Sequence, residues 1–428
     1  MKKLLSLILV FSIALGSTSV CYGATADAVS AAKIKSAGNK SLTYLKDRQK
    51  SILKSNKKAK YTILASYYPG KSKKKVTKEL ANCGFTYDNS LVALAFIAAG
   101  EKKKAAYILD GFKYALSHDR SGEVKLRNAY RKGTLADKKY GALLPGFWAG
   151  YWSEDAYQVG TNLGNTSWAA IAMLQYNKKF KTTKYLKSAR KAMDYVLKKC
   201  KTDQYPGLSS GYDGWPENGS YDVQRYKYKS TECNLDAAVA FKRLYQVTSA
   251  SKYKKAYEDC LSFVNSMYIP SEKRYAVGTA TDGITMNDGN TFTDCIAWPV
   301  LALDEEIVDV EALAESIKNM TTEGGLPFVC IGIPSDRHFE SRGGIWYEGS
   351  IFGSMALKKA GYDEEANAIM TTVLAGQAKK GAFTSASKSL FADNTWRYGC
   401  KDYHIAPTAW MVMYAKNFNP FVFTANNK

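Results

Sequence analysis

The chain has 428 residues, 13% of them aromatic, and 60 Lys and Arg residues against 39 Asp and Glu residues give it a formal net charge of +21. This aromatic content, with 30 Tyr and 8 Trp, excludes a disordered chain, which has too little apolar surface to bury. The positive charge predicts either attraction to an anionic surface or polymer, or a well-solvated exterior without a specific partner.

The N-terminal segment has the pattern of an export signal. Lys2 and Lys3 precede an apolar run from Leu4 to Leu15, and Ala24–Ala26 offers a small-residue cleavage site. The run is shorter than the ~20 residues of a transmembrane helix, and no later stretch is apolar enough to span a bilayer. We therefore expect a signal peptide over residues 1–26 and a secreted mature chain, free or associated with the cell wall. An exported chain without a recognition module predicts no nucleic-acid partner.

The cysteines predict neither a disulfide framework nor a metal site. Those beyond the signal are Cys83, Cys200, Cys233, Cys260, Cys295, Cys330 and Cys400. Their number is odd and their spacing irregular, so pairing cannot be deduced, although one or two bridges can form. No pair has the tight spacing of a zinc site, and Cys400 with His404 alone is too weak a pattern for a metal. We expect no metal and no cofactor.

Six alanine-rich segments repeat along the chain, each with one polar residue near its start. They are FTYDNSLVALAFIAAG from Phe85, LGNTSWAAIAMLQY from Leu163, STECNLDAAVAFKRL from Ser230, FTDCIAWPVLAL from Phe292, WYEGSIFGSMALKKAG from Trp346 and HIAPTAWMVMYA from His404. The polar positions are Asp88, Asn165, Glu232, Asp294 and Glu348, with Pro407 aligned there in the sixth segment. Because these segments are apolar over most of their circumference, they predict six buried helices.

Lysine-rich amphipathic segments alternate with the buried ones. They cover approximately residues 28–54, 103–117, 182–199, 251–268, 309–320 and 362–376. Apolar residues recur there every three or four positions, which predicts helices with one solvent-exposed face. Twelve alternating helices can bury their faces by closing into a ring. We predict an all-α fold, an (α/α)6 toroid of six helical hairpins with an inner and an outer ring, as a single domain over residues 27–428 and a monomer.

The connections differ in length in a way that locates a cleft. Those leading into the buried helices are long, roughly residues 55–84, 118–164, 200–231, 269–293, 321–345 and 377–403, whereas the return turns, such as Ala98–Gly100, are short. All the long connections meet on one face, so we expect short β-hairpins or loops there, together with the functional cleft.

The repeat with acidic helix starts resembles the six-hairpin glycosidase superfamily, in a secreted bacterial branch. The segments that carry the resemblance are GEVKLRNAYRKG, LPGFWAGYWSEDAYQVGTNLGNTSWAA, KSTECNLDA, IWYEGS and FNPF. The resemblance covers nearly the whole mature chain through architecture and motif style. It implies hydrolysis of a glycosidic bond, often with inversion, by two carboxylates at the mouth of the toroid.

Acidic side chains suited to this chemistry cluster at the predicted mouth. They are Asp88, Glu154, Asp155, Glu232, Asp236, Asp294 and Glu348. Glycoside hydrolysis needs a protonated carboxyl to donate to the leaving oxygen and an ionised one to activate water, ~6.5–9.5 Å apart for inversion. We expect Glu232 as the acid and Asp88 as the base, with Asp155 or Glu348 able to replace either. Glu232 and Asp236 share a helical face, which should raise one pKa.

Structural explanations compete with these roles. An acid in the first turn of a helix is favoured by the helix dipole, which alone could account for Asp88, Asp294 and Glu348. Asp236 could instead hydrogen-bond a neighbouring loop. Arg127 could line the cleft or could hold its own loop. Trp168, Trp298 and Trp410 fit a core better than a sugar-binding surface.

The substrate-binding residues are predicted from rings and polar groups near the mouth. Sugar faces stack on aromatic rings, and Trp and Tyr add a polar group. The candidates are Tyr87, Arg127, Trp148, Trp152, Asn165, Trp215, Asp236, Trp346 and Tyr347.

Two other functions fit the sequence. A polysaccharide lyase acting on an anionic glycan would suit the basic charge and the many Tyr residues, although His118, His338 and His404 lie in no convincing cluster with Tyr and Arg. A toroid that binds a glycan or the cell wall without catalysis would also keep the fold. In each case the expected partner is a carbohydrate.

Overall fold

The computed structural model of the chain describes residues 29–70, 76–134, 136–137, 141–202, 206–214, 224–289, 292–321, 344–391 and 397–423. The predicted signal peptide lies outside these ranges, and so do Trp215 and Cys330.

Thirteen α-helices lie in these ranges. They are, in chain order, α1 (Ala31–Ser55), α2 (Thr86–Ala98), α3 (Lys102–Ser117), α4 (Ala156–Val159), α5 (Leu163–Lys179), α6 (Leu186–Lys199), α7 (Thr231–Thr248), α8 (Ser251–Ser266), α9 (Thr293–Ala302), α10 (Val310–Met320), α11 (Tyr347–Lys359), α12 (Asp363–Ala375) and α13 (Ile405–Ala415). Apart from the single turn α4, they alternate between buried and amphipathic helices, as the sequence predicts. None of them is long and apolar enough to cross a membrane.

The buried helices form a closed inner ring. Helix α2 packs on α5, α5 on α7, α7 on α9, α9 on α11, α11 on α13, and α13 returns to α2. Each is buried nearly all round; on α13 every residue from Ile405 to Tyr414 is buried. A helix with no solvent-exposed face needs neighbours on all sides, and the ring supplies them.

The amphipathic helices form the outer ring. Helices α3, α6, α8, α10 and α12 pack on α2, α5, α7, α9 and α11, and α1 packs on α13. Five hairpins are therefore continuous in sequence, while the sixth pairs the first helix with the last. The predicted (α/α)6 toroid is confirmed.

Contacts between distant parts of the chain close the ring at the sixth hairpin. The Ser41 hydroxyl donates to the Gly381 carbonyl at 2.7 Å, and the Gln377 amide donates to the Ala37 carbonyl at 3.0 Å. Gly38 lies directly against Ala415 of α13, where an added Cβ would overlap the alanine side chain. The absence of a side chain at this glycine lets the two helices approach closely.

Gly38→Val is expected to destabilise the protein by about 1–3 kcal/mol, because the larger side chain must force α1 away from α13. The free energy of unfolding in urea measures the loss. Gly289→Ala is the control, since a Cβ there would meet no atom within 4 Å. A Gly38→Val protein as stable as the control would contradict this packing.

The C-terminal segment closes the end of the ring opposite the long connections. The Gln175 amide donates to the Pro420 carbonyl at 2.7 Å, and the Asn419 amide donates to the Leu301 carbonyl at 2.8 Å. The Phe421 ring packs against Trp168 and Trp298, with ring centroids 5.1 and 5.6 Å apart. Residues 419–421 therefore plug the inner ring from below.

Short antiparallel strands occupy the long connections, as predicted. They are β1 (Tyr67–Tyr68), β2 (Cys83–Phe85), β3 (Ala129–Arg131), β4 (Ala136–Asp137), β5 (Gly141–Ala142), β6 (Phe147–Trp148), β7 (Trp152–Ser153), β8 (Thr161–Asn162), β9 (Gly211–Asp213), β10 (Gln224–Arg225), β11 (Tyr268–Ile269), β12 (Arg274–Tyr275), β13 (Gly278–Thr279), β14 (Met286–Asn287), β15 (Phe383–Thr384), β16 (Leu390–Phe391), β17 (Arg397–Tyr398) and β18 (Tyr403–His404). Strand β18 pairs with β1 and β15, and β9 with β8 and β10. Because β2, β8 and β18 run directly into α2, α5 and α13, they fix where these helices begin.

Candidate active site

A cavity of about 300 Å3 lies at the face of the toroid where the inner helices begin. Since six helices start at this face, their first-turn side chains converge near the ring axis. The lining residues are Tyr67, Phe85, Tyr87, Asp88, Tyr157, Asn162, Gly164, Asn165, Trp168, Glu232, Cys233, Phe292, Asp294, Trp298, Trp346, Glu348, Tyr398 and His404. The cavity thus combines carboxyl groups with aromatic rings.

Three carboxyl groups of the lining stand on alternate helices of the inner ring. Asp88 is on α2, Glu232 on α7 and Glu348 on α11. The starts of the helices between them contribute Asn165, Asp294 and His404. Each of the three acids therefore faces the same space from a different direction.

Glu232 is the carboxyl most strongly driven toward its protonated form. It lies in the first turn of α7, after the N-cap Ser230, whose hydroxyl accepts from the Cys233 amide. Burial, together with the negative charges of Asp294, Asp236 and Glu348, raises its pKa well above the usual range. These influences favour the protonated form of Glu232, the form that can donate a proton.

Asp236 and Asp294 support that state. Asp236 lies one turn after Glu232 on α7, is fully buried and does not line the cavity, in contrast to its predicted role in substrate binding. Burial and the charge of Asp294 raise its pKa well above the usual range. Burial also raises the pKa of Asp294 to about 6, although its carboxylate accepts from the Cys295 amide at 2.8 Å.

Asp88 forms an ion pair with a histidine. The His404 Nε2 atom lies 3.0 Å from Asp88 Oδ2, and the Ser385 hydroxyl lies 3.1 Å from His404 Nδ1. The Tyr67 ring stacks on the imidazole with ring centroids 4.4 Å apart. Burial alone would lower the pKa of His404, but the charge of Asp88, their hydrogen bond and the charge of Glu348 leave it above the usual value. The contact with Asp88 thus favours the cationic form of His404.

The ion pair is expected to make stability depend on pH. Because the pKa of His404 is higher in the folded than in the unfolded state, its contribution is fully present below about pH 6.5 and is lost as pH rises through the folded pKa. The unfolding free energy should therefore differ more between wild type and His404→Gln at pH 5.5 than at pH 9, by urea denaturation. His118→Gln, at an exposed histidine, is the control; an equal difference at both pH values would contradict the ion pair.

Glu348 is held by two donors. The Tyr87 hydroxyl donates to Oε1 at 2.5 Å, and the Trp410 indole donates to the same oxygen at 3.1 Å. Burial raises the pKa of Glu348 to about 7, against the lowering effects of His404 and these hydrogen bonds. Glu348 therefore changes its charge near neutral pH, and its position is fixed.

Six of the predicted site residues line the cavity: Tyr87, Asp88, Asn165, Glu232, Trp346 and Glu348. The Asn165 amide donates to Asn128 Oδ1 at 3.0 Å and to the Tyr157 hydroxyl at 3.4 Å, which fixes the side of the cavity formed by α5.

Asp155 and Arg127 do not reach the cavity. Asp155 is exposed and caps α4, accepting from the Gln158 amide at 2.9 Å. Arg127 is buried; it donates to both oxygens of Asp119 at 2.6 and 2.8 Å and to the Val159 carbonyl at 2.6 Å. Asp155, predicted as a catalytic alternative, thus lies outside the cavity lining and caps a helix. Arg127 holds its own loop, the structural explanation considered above.

Three predicted aromatic residues also lie elsewhere. Trp148 and Trp152 lie on the exposed hairpin β6–β7. The Trp152 indole donates a hydrogen bond to Glu154, and neither tryptophan lines the cavity. Tyr347 packs on Phe383, with ring centroids 5.6 Å apart, and its hydroxyl lies against Gly376 at the end of α12. Trp215 lies outside the described residues.

Several lining residues were missed from the sequence. His404, Tyr67 and Tyr398 lie on the short strands β18, β1 and β17 of the long connections. His404 carried one signal, since it opens the sixth repeat; the alignment placed Pro407 at the polar position and so hid it.

Neither a disulfide nor a metal ligand set appears among the residues that the structure describes. Cys83, Cys200, Cys233, Cys260, Cys295 and Cys400 are free thiols. No group of three or more His, Cys, Asp or Glu side chains in these ranges is arranged to hold a metal ion.

Comparison with known proteins relates the fold to glycosidases. No protein-family profile matches the chain, and no curated protein matches it in sequence. A glycosidase solved in complex with glucose superposes with a TM-score of 0.58 at 9% identity, covering 90% of this chain and 96% of that one.

Two further structures have a TM-score of 0.53 at 13% identity. A GH76 α-mannanase from Bacteroides thetaiotaomicron covers 88% of this chain and 95% of its own, and an α-amylase from Clostridium perfringens covers 86% and 96%. The chain shares the (α/α)6 toroid fold with these solved glycosidases, the fold that the sequence resemblance implied. The similarity in structure shows the fold, whereas sequence identities this low do not show the reaction. The reaction is therefore argued from the geometry of the cavity.

Proposed function

We propose that the protein is a glycoside hydrolase that cleaves an O-glycosidic bond of a polysaccharide or oligosaccharide in this cavity, with inversion. The observation that carries the proposal is the arrangement of Glu232, whose pKa burial and neighbouring carboxyl groups raise, and Asp88, paired with His404, on alternate inner helices around one aromatic-lined space. The glycosidase fold of the structural neighbours supports it.

The proposed step balances with two carboxyl groups and water. Glu232 gives its proton to the glycosidic oxygen as the bond from that oxygen to the anomeric carbon breaks. Asp88 takes a proton from the water whose oxygen attacks the same carbon from the opposite face. Proton exchange with solvent then restores both groups. His404 keeps a positive charge beside Asp88 before that proton arrives.

Glu348 is less suited than Asp88 to act as the base. Its pKa of about 7 means that it is mostly protonated at mildly acidic pH, and the hydroxyl of Tyr87 and the indole of Trp410 already bind one oxygen. We assign it to positioning the sugar through its second oxygen.

The cavity favours a neutral sugar. Its described lining carries four acidic side chains and one imidazole, so a uronate carboxylate would meet mostly negative or protonated carboxyl groups. The cationic surplus lies on the exterior instead; α1 alone carries six Lys and one Arg against one Asp. This distribution disfavours a lyase acting on an anionic glycan. Rings such as Trp346, Tyr398 and Phe292 supply faces for stacking.

The test is incubation with a panel of neutral and acidic polysaccharides and oligosaccharides, with measurement of new reducing ends. NMR of the first product anomer decides between inversion and retention. Unsaturated products absorbing near 230 nm would instead establish a lyase. Retention of a glycan without product would establish a binding protein.

We also propose that the chain is exported and cleaved after Ala26, on the strength of the charged start and the apolar run. N-terminal sequencing of the protein secreted by a bacterial host should then begin at Asp27. Full-length protein confined to the cells would contradict export.

A further inference from the structure

An exposed aromatic hairpin stands outside the cavity. In the strand pair β6–β7, Trp148 is 72% exposed, Tyr151 66% and Trp152 42%. Among the described residues, four large hydrophobic side chains are at least 42% exposed, and three of them belong to this hairpin. Trp148 pairs directly with Trp152 across the strands, which places both side chains on the same face of the hairpin.

The structure holds one of these rings in place. The Trp152 indole donates to Glu154 Oε1 at 2.9 Å, and Arg120 donates to the same oxygen at 2.8 Å. The Arg131 guanidinium lies 4.6 Å from the centroid of the Trp152 ring. Any Cβ at Gly146 would collide with this ring, so the glycine lets the indole lie flat on the backbone. The exposed ring is fixed before any ligand arrives, which lowers the entropy cost of binding.

The base of the hairpin is anchored as well. The Asn82 amide donates to the Gly146 carbonyl at 2.7 Å, and the Lys78 ammonium lies 4.4 Å from the centroid of the Phe147 ring. Both partners belong to the segment that leads into α2. The hairpin is therefore tied to the part of the rim that precedes Asp88.

The hairpin also lies close to the cavity along the chain. Trp152 and the cavity-lining Tyr157 are five residues apart, so their Cα atoms are separated by at most ~18 Å. A glycan of several sugar units that occupies the cavity is therefore long enough to extend to the hairpin.

We propose that Trp148, Tyr151 and Trp152 form an accessory platform that binds a neutral polysaccharide chain whose end or interior occupies the cavity. Its role in turnover rests on the proposed glycoside hydrolysis, whereas its binding of the polymer does not. Three amphipathic rings beside charged side chains suit stacking on hydrated sugar faces. They form too small an apolar area for a stable protein interface, which needs ~1,000 Å2 or more. The platform makes a polymer, rather than a short oligosaccharide, the substrate.

The test compares wild type with Trp148→Ala/Trp152→Ala by electrophoresis in native gels that contain neutral polysaccharides. Wild type should be retarded by at least one polymer, and the double variant should bind that polymer about tenfold more weakly, as expected for lost ring stacking. The ratio of kcat/KM on the polymer to that on a short oligosaccharide should fall to a similar extent. Val247→Ala, at an exposed apolar residue on the far end of α7, is the control.

Each outcome decides the proposal. Equal retardation of wild type and the double variant would overturn the platform, as would binding of the hairpin to lipid vesicles or self-association instead of to glycan. Polymer retention that depends on the hairpin, without any turnover by wild type, would support the platform and remove the proposed hydrolase activity. If wild type and the double variant both turn over glycans with the same preference for the polymer, the hydrolase activity would be supported and the platform would be overturned.

Discussion

Glu232→Gln is expected to lower kcat/KM on an unactivated glycan by roughly a hundredfold to ten thousandfold, the usual contribution of a positioned general acid. Glutamine keeps the shape of the side chain but has no acidic proton for the leaving oxygen. On an aryl glycoside whose leaving group needs no protonation, the loss should be far smaller. Initial rates on the two substrates measure the difference.

The same variant should be at least as stable as wild type. Because burial and three neighbouring carboxyl groups raise its pKa, Glu232 is ionised in the unfolded chain at neutral pH and must take up a proton on folding, a cost that a neutral amide does not carry. Thermal unfolding measures this effect. Asp155→Asn is the matched control, since asparagine caps a helix as well as aspartate and Asp155 lies outside the cavity. Equal losses on both glycosides would contradict Glu232 as the acid.

Asp88→Asn is expected to reduce turnover to a similar or greater extent on both kinds of substrate, because activation of water does not depend on the leaving group. It should also lower the pKa of His404, since the charge of Asp88 is the main influence that raises it against burial. An NMR titration of the three histidines measures that shift separately from catalysis.

Comparison with Glu348→Gln tests the assignment of the base. If Asp88→Asn remains active and Glu348→Gln loses activity on both substrates, the base is Glu348, and His404 then serves only the ion pair. If the His404 pKa does not fall in Asp88→Asn, the contact between these two residues is not the one that the structure shows.

The fold was predictable because its repeats are strong local patterns. Six alanine-rich helices with short return turns leave few architectures other than a ring, and the ring from α2 to α13 follows. The division of the sixth hairpin between α1 and α13 also follows from the order of the predicted helices, because the first of them belongs to the outer ring and the last to the inner ring.

The site was predictable where it depends on the starts of the inner helices. Asp88, Glu232 and Glu348 occupy equivalent positions of the repeat, and the ring brings them together. Asp155 and Arg127 lie in a long connection, where proximity to the mouth in sequence does not fix the direction of a side chain. His404 was missed because its strand, not its helix, presents it to the cavity.

The electrostatics of Glu232 show what sequence spacing omits. Its spacing from Asp236 predicts a raised pKa through like charge, and the rise is present. Yet burial is the largest cause, and Asp294, sixty-two positions later, contributes more than Asp236. The burial of Glu232 and its proximity to Asp294 both depend on the packing of α7 against α9, which no local sequence pattern predicts.

The plug formed by residues 419–421 has a consequence for the floor of the cavity. Trp168 and Trp298 line the cavity from above and rest on Phe421 below, so the floor of the pocket depends on residues near the C-terminus. A chain cut after α13 would keep every carboxyl group in its helix, but the indoles of Trp168 and Trp298 would lose the Phe421 ring against which they pack. The shape of the cavity therefore depends on a segment that contributes none of its lining residues.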